Sequence, residues 1–260
     1  MFTPDDRERT LARVVELLSG DERIEAAVLT GSLGAGHGDR WSDFDLDAVV
    51  TEGVDHAAVA AEWEEHVYRE LPVAHHYATE FGSTLVRGFL LRNGLLVDLA
   101  FEPIAEFAAW APVKVLFDRT GRATSVAERW EAWSPTPDWR GEAGFAAHDV
   151  LHALVAANRG RPWQALYFLQ RIRNRTLSLA SERHGHDAQD FTRVDDLPTD
   201  EVDHLRTSLV ADLERDTLIE AIEAATRGFL TELARGDSAL ATRLEEPFFA
   251  LIGESRRSRG

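Results

Sequence analysis

Gly31-Ser32-Leu33-Gly34-Ala35-Gly36-His37-Gly38-Asp39-Arg40-Trp41-Ser42-Asp43-Phe44-Asp45-Leu46-Asp47 is the stretch on which the reading of this chain turns. The apolar run 24–30 before it has the length of a short strand. A Gly-Ser pair directly after a strand lets the backbone come close to an anion and adds N–H groups and a hydroxyl. Eleven residues beyond Ser32 comes Asp43, followed by Asp45 in the alternating run 43–50. The strand period of two puts these carboxylates on one face, a few ångströms apart. Bare carboxylates so placed raise each other's pKa unless a cation lies between them. A hard divalent ion suits the site, and Mg²⁺ binds through one or two carboxylates together with phosphates. Asp47 shares the parity but lies further along the strand, outside the expected metal set. An Asp-x-Asp pair alone reads as a solvated strand face; the Gly-Ser before it and a third acid on a later strand change that reading.

Working outward, residues 3–19 predict an amphipathic helix capped by Thr3, with Pro4 in its first turn, Asp5 and Asp6 at its positive end, and a stop at Gly20. A second helix is expected over 55–70. The runs 84–92 and 95–101 predict strands joined at Asn93-Gly94, a hairpin signal; this puts Asp98 on a strand that can lie beside Asp43 and Asp45. Residues 114–117 predict one more short strand. From about residue 139 the pattern is helical, over 141–158, 162–184, 199–213, 215–234 and 238–251. The Pro-rich segment 133–139 separates the two patterns. Mixed elements followed by helices alone predict an α+β fold, a mixed-sheet core followed by a C-terminal helical bundle, with domains 1–136 and 137–260.

The 260 residues are of ordinary globular composition, and cysteine is absent, which excludes disulfides, thiolate metal sites and a cysteine nucleophile. No run is long and apolar enough for a membrane span. The acidic, polar start lacks the pattern of a signal peptide, so a soluble, cytoplasmic protein is expected. The net charge is −17, and Lys114 is the single lysine. Residues 1–140 hold 25 acids against 13 bases, and 141–260 hold 20 against 15. Such a surface repels phosphate backbones, so no nucleic-acid partner is expected, and it steers cations inward.

GSLGAGHGDRWSDFDL resembles the signature of the nucleotidyltransferase superfamily typified by DNA polymerase beta: Gly-Ser, a spacer, then Ser-Asp-x-Asp. With helices behind it, the chain looks most like the antibiotic nucleotidyltransferases that act on kanamycin, streptomycin and lincosamides. The likeness covers roughly residues 24–118 and extends more weakly to 160–185. It implies transfer of a nucleoside monophosphate, usually AMP from ATP, to a hydroxyl, with release of pyrophosphate. By position it implies that Asp43 and Asp45 hold two Mg²⁺ ions on the triphosphate, that Gly31, Ser32 and Ser42 bind phosphate, and that Asp98 is the third carboxylate, as metal ligand or catalytic base. Many members carry Arg or Lys shortly after the Gly-Ser; here Ala35 and Gly36 stand there, leaving Arg40 or Arg161 to neutralise the triphosphate. The catalytic glutamate of the kanamycin enzyme falls near Ala157, so Asp98 is the first choice of base and Glu102 the second.

Other motifs read less sharply. His148 and His152 have zinc-ligand spacing on a helix but lack the glutamate and third ligand of a protease, so a partly buried pair is expected, with His148 or Asp149 able to line an acceptor pocket. His75-His76 and His184-Gly185-His186 read as surface loop or strand-end residues. Trp163, Tyr167 and Phe168 read as core, Arg171, Arg173 and Arg175 as a solvated face, and Arg256-Arg257-Ser258-Arg259 as a disordered tail. The combined expectation is a Mg²⁺-dependent adenylyltransferase acting in a cleft between domains, as monomer or homodimer, on a small cationic acceptor such as an aminoglycoside. Asp39, Asp47, Glu102 and Glu106 are available for the ammonium groups of such an acceptor. A lincosamide acceptor, a protein acceptor or a catalytically silent nucleotide sensor are the alternatives.

Overall fold

The computed structural model describes residues 1–109, 111–131, 135–188 and 191–257. Two compact units emerge, Met1–Trp133 and Ser134–Gly260, and the fold is α+β as expected. Trp133 and Ser134 of the segment expected to separate the domains lie outside the described residues, as do Ser258 and Arg259 of the basic tail.

The first unit runs α1 (Pro4–Gly20), β1 (Ile24–Leu29), α2 (Gly31–Gly34), β2 (Phe44–Val50), α3 (His56–Glu70), β3 (Val73–Phe81), β4 (Thr84–Leu91), β5 (Leu96–Pro103), β6 (Lys114–Asp118) and α4 (Arg122–Glu128). Thr3 and Asp6 form a reciprocal capping box at the start of α1, satisfying two otherwise orphaned amides. Asp55 caps α3. The six strands form one mixed sheet in the order β3-β4-β5-β2-β1-β6; β2 and β5 pair in parallel and the other pairs are antiparallel.

Strand alternation gives this sheet two unlike faces. Phe44, Leu46 and Ala48 of β2 and Val97, Leu99 and Phe101 of β5 join Val14 and Leu18 of α1 and Trp63 and Val67 of α3 in the main core. On the other face a smaller cluster, including Ala26, Val28, Val49, Ile104 and Phe107, covers the β1 side. The rest of that face carries Asp45 and Asp47 of β2 and Asp98 of β5, all only partly buried. Carboxylates stand here at the positions that strand alternation assigns to this face.

Two elements of this unit differ from expectation. β3 was not foreseen, because most of Val73–Phe81 is exposed or half-exposed and an edge strand without a buried face shows no hydrophobic alternation. His75 and His76 therefore lie within a strand, and the Gly82-Ser83 turn that closes β3 onto β4 was the available signal. The short α4 was also not anticipated.

The second unit comprises α5 (Trp139–Asn158), α6 (Pro162–Arg183), α7 (Thr199–Val202), α8 (Arg215–Gly236) and α9 (Ser238–Arg257) around one apolar core. The helix expected over 199–213 is a single turn of α7 followed by a 3₁₀ segment, Asp203–Ser208. A tertiary bond competes there: Nη1 of the buried Arg173 donates to the Ser208 carbonyl at 2.7 Å. Arg256 and Arg257 extend α9, with Arg256 ion-paired to Glu223 at 2.5 Å, in place of the expected disordered tail.

Candidate active site

The open face of the sheet is organised as a row across four strands. Tyr77 of β3 lies opposite Gly88 of β4, Gly88 opposite Asp98 of β5, and Asp98 opposite Asp45 of β2. Beyond Asp45 comes the Gly-Ser turn. Gly31 has φ +60°, and a Cβ on it would lie 2.1 Å from Oδ2 of Asp45. A side chain is thus excluded twice over, by backbone conformation and by contact, and the Gly-Ser backbone lies directly against the carboxylate. The Thr30 amide donates to the Asp45 carbonyl at 2.9 Å and fixes this approach.

The electrostatics follow from the layout. Burial pushes the Asp45 carboxyl up to about 6, with added repulsion from Asp43 and Asp98. Asp43, in the residue before β2, also repels Asp98, whose carboxyl is raised by burial and partly relieved by a hydrogen bond from Tyr77. Burial and Asp45 raise Asp47 to about 7, and burial with Asp47 and Glu106 raises Glu102 to about 8. The acids of this face therefore sense one another. Among the described residues no three His, Asp or Glu are gathered into a preformed metal site. The donor set still fits magnesium: all donors are hard carboxylate oxygens, and Mg²⁺ takes only one or two of these, filling its shell with water and phosphate.

Asp47, Glu102 and Glu106 also line a cavity of about 520 Å³ with Phe81 and Thr84. Glu102 is only 6% exposed and accepts a long hydrogen bond from the Thr84 hydroxyl, at 3.4 Å. Asp47, left out of the expected metal set and named as available for an ammonium group, is one of the residues lining this cavity.

The remaining predicted residues are placed as follows. Ser32 is exposed on α2. The Ser42 hydroxyl donates to Asp39 Oδ1 at 3.2 Å and accepts from the Asp39 amide at 3.0 Å. Nη1 of the buried Arg7 donates to the carbonyls of Asp39 and Ser42 at 2.5 and 2.8 Å, so this loop is pinned from α1. Arg40 stacks on the exposed Trp41, its guanidinium 4.1 Å from the ring centroid. Asp39, Arg40, Trp41 and Ser42 thus belong to one folded loop, which was not foreseen.

In the second unit, Arg161 is exposed at the N-terminus of α6. Asp149 is fully buried, receiving Arg171 Nε at 2.9 Å and Arg175 Nε at 2.7 Å, one on each carboxylate oxygen. Both oxygens are taken, so the residue expected to contact an acceptor instead anchors α6 to α5. The same pairing removes Arg175 from the solvated face expected of it, and Arg173 is buried outright. The His148 and His152 rings lie 4.2 Å apart, and His152 stacks on Phe168; His148 also lies 3.2 Å from Asp149. Trp163 and Tyr167 are 73% and 58% exposed, correcting their assignment to the core. Their i, i+4 spacing puts them together on a face of α6 away from Leu169 and Ile172.

Among solved structures, the chain is similar to an aminoglycoside 6-adenyltransferase from Bacillus subtilis, with 13% identity over 93% of this chain and 96% of that one, at a TM-score of 0.39. It is also similar to a nucleotidyltransferase-like protein from Exiguobacterium sibiricum, with 10% identity over 88% of this chain and 77% of that one, at a TM-score of 0.36. At these scores neither neighbour carries weight for substrate or mechanism. No protein-family model matches the chain, and no curated protein matches it.

Proposed function

We propose that the chain is a divalent-cation-dependent nucleotidyltransferase that moves AMP from ATP onto a hydroxyl of a small cationic acceptor of the aminoglycoside type and releases pyrophosphate. The observation that carries this reading is the seating of the Gly31 backbone against Asp45, in one row with Asp98 and beside Asp43. A turn open to phosphate and three neighbouring acids on one sheet face have no structural purpose that apolar side chains would not serve better.

Asp43, Asp45 and Asp98 would hold the magnesium, which supplies charge neutralisation to the triphosphate and to the departing pyrophosphate. Ser32 and the backbone beside it bind phosphate oxygens, with Arg40 as the available cation of the same unit. Asp98 is the base, taking the acceptor proton as its oxygen attacks the α-phosphorus.

The cationic acceptor is supported by the adjoining cavity. Asp47 and Glu102 are poorly ionised when alone, and an ammonium entering beside them would favour the carboxylate forms and form charge-assisted hydrogen bonds.

Pyrophosphate release from Mg²⁺-ATP, measured across a panel of aminoglycosides and lincosamides, tests the reading. The expected result is release with an aminoglycoside, a product heavier by one AMP, and loss of both in Asp43→Asn. Release with a lincosamide alone would reassign the acceptor. Silence across the panel with Mg²⁺-ATP still bound would overturn the antibiotic acceptor and leave a protein acceptor or a nucleotide sensor.

A further inference from the structure

Tyr77 ends the row that begins at Gly31, and its hydroxyl donates to both oxygens of Asp98, at 3.0 Å to Oδ1 and 3.1 Å to Oδ2. Among the described residues, no other hydrogen bond reaches that carboxylate. Asp45 lies directly opposite it in the β2–β5 pair, and carboxylates that close repel one another.

The ring reaches Asp98 because the position between them is glycine. A Cβ on Gly88 would lie 2.1 Å from Tyr77 Cε1, 2.2 Å from Cζ and 2.6 Å from Asp98 Oδ1. Gly88 has no positive φ to justify it, and glycine inside a strand weakens the strand. The close approach of the ring is what the missing side chain permits.

An aromatic ring laid over a cross-strand glycine has a structural use of its own, covering exposed backbone. That use needs the ring and not the hydroxyl. Tyr77 is 45% exposed as a residue, and covering Gly88 requires no bond to Asp98. The bifurcated bond to the carboxylate is the part that coverage of glycine leaves unexplained.

We infer that Tyr77 is a positioning residue: its hydroxyl holds the Asp98 carboxylate in one orientation against the repulsion of Asp43 and Asp45, with Gly88 as the seat of the ring. The inference rests on the transfer reaction proposed above. Outer groups that orient a metal-binding or proton-accepting carboxylate are typically worth about 10–100-fold in affinity or activity. The Tyr77 bond leaves lone pairs on each Asp98 oxygen for a cation or an acceptor proton.

Tyr77→Phe separates the two uses, because it keeps the ring on Gly88 and removes only the hydroxyl. Three quantities are read on the full-length protein: the thermal midpoint, Mn²⁺ affinity in the presence of a non-hydrolysable ATP analogue, followed by electron paramagnetic resonance, and steady-state kinetics. The expected result is an unchanged midpoint, Mn²⁺ affinity weaker by about tenfold, and kcat lower by about tenfold with an unchanged KM for the acceptor. Wild-type Mn²⁺ affinity and kcat in the variant would overturn the inference, and so would losses that merely track a fall in the midpoint. Wild-type protein that binds Mn²⁺ with the analogue but transfers nothing would overturn the transfer reading, while the affinity comparison still decides the role of Tyr77. Wild-type protein that binds no Mn²⁺ overturns both.

Discussion

Asp45→Asn is expected to lower nucleotidyl transfer by about a thousandfold or more, and to make the cation-free protein more stable at neutral pH. The two effects have one cause. Asp45 sits against the Gly31 backbone and opposite Asp98, the acid proposed to share a cation with it. In the absence of a cation the same carboxylate is a liability: burial and two like-charged neighbours raise its pKa to about 6. Asparagine has nearly the same shape and lacks the charge. Its amide also supplies a second donor to a group of acids in which Tyr77 reaches only Asp98. With partial exposure discounted, removing the charge is worth on the order of 1 kcal/mol of stability. Loss of transfer together with a raised thermal midpoint at pH 7.5 would identify a residue kept for chemistry at the expense of folding. A lowered midpoint would mean that Asp45 has a structural partner, and would count against its place in the site.

What was legible in the sequence and what was not divide along a physical line. Gly31, Ser32, Asp43 and Asp45 were readable because one strand and the turn before it set their relations, and strand parity needs no tertiary information. Asp98 was readable because Asn93-Gly94 fixes where β5 begins. Tyr77 was not: it lies on an edge strand with little apolar alternation, and Gly88 explains itself only once three strands are in register. Asp149 was misread for a related reason. Its two arginines are 22 and 26 residues away on α6, and only helix packing shows that they converge on it. The segment 199–213 carries a helical pattern, but the pull of Arg173 on Ser208 is long-range and leaves no trace in the local sequence. Elements and local motifs are therefore visible from the sequence, whereas the pairings that settle a polar residue's role arise from packing.

The stability of the cation-free protein is expected to fall steeply as the pH rises from about 5 to about 8.5 and to be restored at the upper end by magnesium or by a polyamine. Three acids of the open face drive this: Asp45 raised to about 6, Asp47 to about 7 and Glu102 to about 8, each from an ordinary carboxylate value. When the folded-state pKa lies above the unfolded one, the folded chain binds more protons in the interval between them. Unfolding free energy therefore decreases with pH across that interval. The stability is fully present below about pH 4 and lost progressively as each group is forced to ionise. Glu102, with 6% of its surface exposed, contributes the most dependable share, on the order of a few kcal/mol; Asp45 and Asp47 are more open and add less than their shifts alone would suggest. Asp21 and Glu201, held down to about 2 by arginine partners, act in the opposite sense but only below about pH 4.5, outside the window. Thermal midpoints from pH 5 to 8.5 check this, with Glu102→Gln expected to flatten the upper part of the curve. A midpoint that stays level or rises toward pH 8.5 would show that these acids already have partners in the free protein, and would remove the electrostatic ground for a cationic ligand. The decisive comparison is the cation effect at the two ends: a polyamine should raise the midpoint at pH 8.5, where the acids are ionised at a cost, and do little at pH 5, where protons already occupy them.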